Sequence, residues 1–112
     1  MRSPQRKTDE LFRRAHEQWG QDKLRSAFTL FRAAAKQGDT GAQVNLGYFY
    51  DVGIGIRPNR NAALRWYRRA YRAGERAAAS NIATIFRDQG KLTQAMSWFR
   101  RAAALGDGDA NL

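Results

Sequence analysis

Small and apolar residues recur along the chain at steps of three and four, in six runs separated mostly by glycine. Steps of that size put side chains on one face of an α-helix, so the pattern predicts six helices. Leu11, Phe12, Ala15 and Trp19 mark the first, capped by Thr8 or Asp9 and ended by Gly20. Ala27, Leu30, Phe31 and Ala34 mark a second, from about Asp22 to Gln37, with Gly38 as its stop. Asp39 or Thr40 caps the third, which carries Val44, Gly47, Tyr48 and Asp51 and runs to about Val52. After the turn GIGIRPN, the fourth runs from Asn59 to Ala73 with Ala62, Ala63, Trp66, Tyr67 and Ala70. The fifth, Arg76 to Asp88, carries Ala79, Ile82, Ala83 and Phe86. The sixth, Leu92 to Leu105, carries Ala95, Trp98, Phe99 and Ala102. Gly47 and Ala70 are sites of close helix approach, because little or no side chain holds the helices apart.

The runs repeat one another. Phe31, Tyr67 and Phe99 fall in register, as do Ala34, Ala70 and Ala102, then Gly38, Gly74 and Gly106, and Asn45 with Asn81. A period in the thirties with two helices per period is the pattern of an α-solenoid. The expected fold is therefore all-α: an α-α superhelix, a right-handed solenoid of three helix-turn-helix repeats with about six helices. Residues 1–7 are expected to be a basic flexible tail. Residues 8–112 form one repeat domain, with units at about 8–38, 39–74 and 75–106. The recurring aromatics, Trp66 among them, are expected in the core between helices.

The central stretch, NLGYFYDVGIGIRPNRNAALRWYRRAYRAG, resembles the Sel-one-like repeat. Ala42, Leu46, Gly47, Gly53, Gly55, Trp66, Tyr67, Ala70 and Gly74 fall on that family's pattern, while Ile56, Asn59 and Asn61 depart from it. The flanking units, with shorter loops, resemble the related tetratricopeptide repeat. The resemblance implies a protein-interaction scaffold or adaptor with no activity and no cofactor of its own.

Composition narrows the chemistry. There is no cysteine, so disulfides and thiolate metal sites are excluded, and one histidine cannot build a multi-histidine cluster. His16 beside Glu17 is a weak acid-base or metal signal. The glycines of GIGIRPN are followed by no Lys-Ser/Thr and preceded by no strand, so the phosphate-loop reading fails. No apolar run is long enough to span a bilayer, and MRSPQRKTDEL has no hydrophobic segment of a signal peptide. The expected location is cytoplasmic.

Charge points to the partner. The net charge is +10, from 20 Lys and Arg against 10 Asp and Glu. Arg32, Arg68 and Arg100 share one repeat position, and Arg69 is matched by Arg101. With Arg65 and Arg72 they predict a ladder along the outer, second-helix surface. Such a row suits an acidic protein or peptide, because guanidinium groups bind carboxylates and phosphates in pairs of hydrogen bonds. The alternative is a nucleic-acid-binding module in which the row follows a phosphate backbone. Asn45 and Asn81, on the first helices that line the concave side, are candidates to clamp a peptide backbone or, equally, to bond a neighbouring helix. The end of the chain, GDGDANL, matches the start of a first helix, GDTGAQVNL, and supplies no polar capping helix. An apolar strip near Ile85, Phe86, Trp98 and Leu105 is therefore expected to stay partly uncovered and to support self-association through the C-terminal repeat.

Overall fold

A computed structural model describes residues 4–106. Among them are six helices and no strand: α1 (Pro4–Gly20), α2 (Leu24–Lys36), α3 (Thr40–Val52), α4 (Arg60–Arg72), α5 (Arg76–Asp88) and α6 (Leu92–Ala104). α1 pairs with α2, α3 with α4 and α5 with α6, and each pair packs on the next through α2 on α3 and α4 on α5. The result is an elongated stack, 46 × 30 × 20 Å, as expected of a short α-α solenoid.

Two boundaries differ from expectation. α1 starts at Pro4, so residues 4–7 are helical and only residues 1–3 of the expected tail lie outside the described part. Proline suits the first turn of a helix, where its missing N–H has no partner to lose. Thr8 is buried, and its hydroxyl donates back to the Gln5 carbonyl at 2.8 Å instead of capping. α2 starts at Leu24 because Asp22 takes a left-handed φ of 61°, a turn conformation that aspartate tolerates. The expected cap of α3 is Asp39, and Asn59, expected inside the fourth helix, caps α4 in the same way. Asp39 and Asn59 accept hydrogen bonds from the backbone N–H of Ala42 at 2.9 Å and of Ala62 at 3.0 Å.

The repeat register is visible in the stops. After α2 and α4 the backbone N–H groups of Asp39 and Glu75 return to the carbonyls of Ala34 and Ala70, both at 3.1 Å. The loop of the central unit serves packing between repeats. Gly55 has φ 70°, and a Cβ there would fall 2.8 Å from the Leu24 backbone, so glycine lets this loop lie on the start of α2.

Burial forms two clusters. Phe31, Leu46, Phe49 and the alanines at 15, 27, 34, 35 and 42 fill the space among α1, α2 and α3. Leu64, Tyr67, Ile82, Ile85, Phe86 and the alanines at 63, 70, 78 and 95 fill that among α4, α5 and α6. Of the paired aromatics in the central unit, Tyr67 is fully buried, whereas Trp66 is half-buried at the edge of the first cluster.

Candidate functional site

The expected arginine row lies on the second helices. Arg32 on α2, Arg65, Arg69 and Arg72 on α4, and Arg100 and Arg101 on α6 are exposed, and Arg68 is half-buried. None of these seven takes part in an ion pair among the described residues. The row is broken into grooves. Between α2 and α4 lies an open cleft of about 340 Å³, lined by Arg32, Lys36, Tyr50, Arg65, Trp66 and Arg69. The Arg69 guanidinium sits 5.2 Å from the centre of the Trp66 ring, and one repeat later Arg101 sits 4.3 Å from that of Trp98. Each arginine is held by attraction to the negative ring face.

Arg60, the first residue of α4, stands apart from the row. Its guanidinium reaches Asp51 on α3 and Asp88 on α5, each at 3.1 Å, tying three helices across a repeat boundary. The Tyr67 hydroxyl donates to the other oxygen of Asp51 at 3.4 Å. Burial, then the negative charge and hydrogen bond of Asp51, push the Tyr67 phenol well above the ordinary tyrosine range. The sign of the pH effect follows. Below the ordinary value of 10.0 both folded and unfolded chains keep the proton, and the contribution is constant. Above it the unfolded chain ionises while the folded chain does not, so stability falls as pH rises, by up to about 1.4 kcal/mol per pH unit. Tyr67→Phe should flatten this alkaline slope in denaturation curves; an unchanged slope would remove Tyr67 as its source. This network escaped the sequence reading. Its only signals were an aspartate on the apolar face of the third helix and an arginine at the start of the fourth.

The asparagine pair is not equivalent in the structure. Asn45 Nδ2 donates to His16 Nε2 at 3.2 Å, a bond from α3 to α1. Asn81 is half-buried and holds no side-chain hydrogen bond among the described residues. His16 is set among aromatic rings, 4.6 Å from Phe12, 5.0 Å from Phe31 and 6.0 Å from Trp19 between centroids. Its own side chain is exposed beside these rings.

The C-terminal strip is displaced from its expected place. Ile85 and Phe86 are buried, while Trp98 and Leu105 are half-buried. The large apolar residues left exposed at this end are Leu92 and Met96 on α6. In repeat register they correspond to Leu24 and Phe28 of α2, which the Gly55 loop and the Tyr50 ring cover. Of GDGDANL, residues 107–112 lie outside the described residues. No helix among the described residues is long and apolar enough to cross a membrane.

A family model described as the Sel1 repeat matches residues 19–39, 40–75 and 85–107. A putative sel1-like repeat-containing protein of Acanthamoeba polyphaga mimivirus is 28% identical over 83 residues, which are 74% of this chain and 16% of the viral one. The crystal structure of a Sel1 repeat protein from Oxalobacter formigenes superposes with a TM-score of 0.65 at 34% identity, over 75% of this chain and 35% of that one. A protective antigen of uropathogenic Escherichia coli displaying an SLR fold superposes with a TM-score of 0.80 at 29% identity, over 92% of this chain and 24% of that one. The chain thus spans from about a sixth to about a third of the length of these relatives.

Proposed function

The chain belongs to the Sel1 repeat family, whose members generally serve as protein–protein interaction scaffolds, and from that premise we propose that it is a non-enzymatic adaptor for an acidic protein or peptide. The observation that carries this reading is the outer surface of α2, α4 and α6. Its seven arginines have no carboxylate partner among the described residues, while the nearby Arg60 is fully engaged with Asp51 and Asp88. Guanidinium groups without counterions on neighbouring helices repel one another weakly through solvent. A negatively charged partner relieves that repulsion and gains charge-assisted hydrogen bonds. The nucleic-acid alternative asks for open aromatic faces on which bases stack. Trp66 and Trp98 each already carry an arginine.

A pull-down from lysate, with and without nuclease, tests this reading. Protein partners should persist after nuclease and be lost as salt rises, since exposed charges are screened. Reversing Arg72→Glu and Arg100→Glu together, both on exposed positions, should weaken retention without changing helix content. Retention that disappears with nuclease would transfer the site to nucleic acid. Retention indifferent to both salt and the reversal would take the arginine row out of the functional account.

A further inference from the structure

We propose that the cleft between α2 and α4 receives a phosphorylated side chain of the partner. This inference rests on the adaptor reading and names the group its basic surface recognises. Four cations line the cleft, Arg32 and Lys36 from one wall and Arg65 and Arg69 from the other, with no acidic residue among its lining. Each wall pair is spaced by four residues, so both members project from the same helix face. Tyr50 and Trp66, both half-buried, complete the lining.

Size and charge density select the ligand. A cleft of about 340 Å³ is at the small end of ligand sites and has room for one side chain. Successive carboxylates on an extended acidic peptide are about 3.3 Å apart along the chain and alternate in direction, so such a peptide delivers one charge to a cleft of this size. A phosphoryl group brings a charge of about −1.5 to −2 and three acceptor oxygens in one place. The three arginines match it with planar forks of N–H donors, and Lys36 adds a compact positive charge. Tyr50 adds a phenolic donor.

The next groove along the stack supplies an internal contrast. In repeat register Ser97 stands where Arg65 does, and Phe86 where Tyr50 does. The Trp–Arg contact is retained there, but a cation and the phenol are lost, and Lys91 lies over the Phe86 ring at 5.9 Å. The repeated architecture thus provides grooves, and Arg65 and Tyr50 are particular to the first one.

The test is calorimetric titration of the full chain with three synthetic peptides of one neutral sequence, carrying phosphoserine, glutamate or serine at the centre. A fourth peptide with phosphotyrosine asks whether an aromatic stem is preferred. The phosphorylated forms should bind at least tenfold more tightly than the glutamate form. Arg65→Ala and Lys36→Ala, both at exposed positions, should each remove most of that preference, whereas Arg14→Ala, exposed on α1 and outside both the cleft and the arginine row, should leave it intact. Equal affinity for phosphoserine and glutamate peptides would overturn the proposal. So would an equal loss from Arg14→Ala, or tighter binding of a single-stranded oligonucleotide at the same residues. Phosphatase treatment before the pull-down separates this inference from the adaptor reading. Partners retained after phosphatase leave the adaptor standing and remove the phosphoryl site. If no protein partner is retained under any condition, the adaptor reading fails, while the peptide titration still decides what the cleft binds.

Discussion

Replacing Phe31 by alanine is expected to cost about 3–5 kcal/mol, the largest effect of any substitution considered for this chain. The ring is fully buried, and the helix that carries it is packed on α1 before it and α3 after it. Four rings surround it: His16 at 5.0 Å, Phe49 at 5.3 Å, Phe12 at 5.9 Å and Trp19 at 6.1 Å between centroids. All four meet it edge to face, the arrangement that sets a positive ring edge against a negative face. Alanine would forfeit these contacts and leave a cavity that four rings on two helices cannot close together. Domains of this size are stable by only about 5–15 kcal/mol, so one such loss is a large part of the whole. The change should appear as a lower denaturant midpoint, with α1 to α3 melting before α4 to α6, because repeats couple mainly to their neighbours. Trp66→Ala should cost less, since that ring is half-buried at a groove edge. An unchanged midpoint for Phe31→Ala, or a greater loss for Trp66→Ala, would contradict the packing described.

Gly47→Ala is the second large effect, and its sign is what matters. In the interior of a helix, alanine is favoured over glycine by about 1 kcal/mol, so an unconstrained site would be stabilised. Here a Cβ would stand 2.6 Å from two ring carbons of Tyr67. That ring has no room to retreat: it is fully buried, and its hydroxyl is bonded to Asp51. Overpacking of this kind costs about 1–3 kcal/mol and should outweigh the helix preference. The expected result is a net loss of stability in the single variant and recovery of most of it when Tyr67→Ala is added, relative to Tyr67→Ala alone. A stabilised single variant would show that α3 and α4 are not in van der Waals contact at this point.

Local physics made much of the fold legible. Five of the six helices end within two residues of where periodicity, caps and glycine stops put them, because each of these signals acts over one or two turns of chain. The repeat register was legible too, since Ala34 and Ala70 with Gly38 and Gly74 rebuild the same hydrogen-bonded stop in successive units. So was the close approach at Gly47, because a glycine on the apolar face of a helix has few other reasons to be there. The arginines could be placed on second helices for the same reason: residue spacing fixes angular position within a helix.

Spacing does not fix how one helix is turned against the next, and what was missed depends on that angle. Trp66 and Tyr67 are adjacent in sequence, and only the rotation of α4 against α3 and α5 decides that Tyr67 is sealed while Trp66 edges a groove. Likewise Ile85 and Phe86 are covered while Leu92 and Met96 are not. Arg60 is one of several arginines on α4, and only packing brings Asp51 and Asp88 to either side of it. Asn45 and Asn81 share a repeat position, yet only Asn45 meets His16, because the unit before it carries histidine at the facing site. The helices, their stops and their period follow from interactions a few residues apart and can be read along the chain. Which charges are neutralised and which converge in the α2–α4 cleft was decided by tertiary packing, because those groups sit on different helices: Arg60 and Asp51 meet across the pairing of α3 with α4, while Arg60 with Asp88, and the two walls of the cleft, meet only when the repeats are stacked.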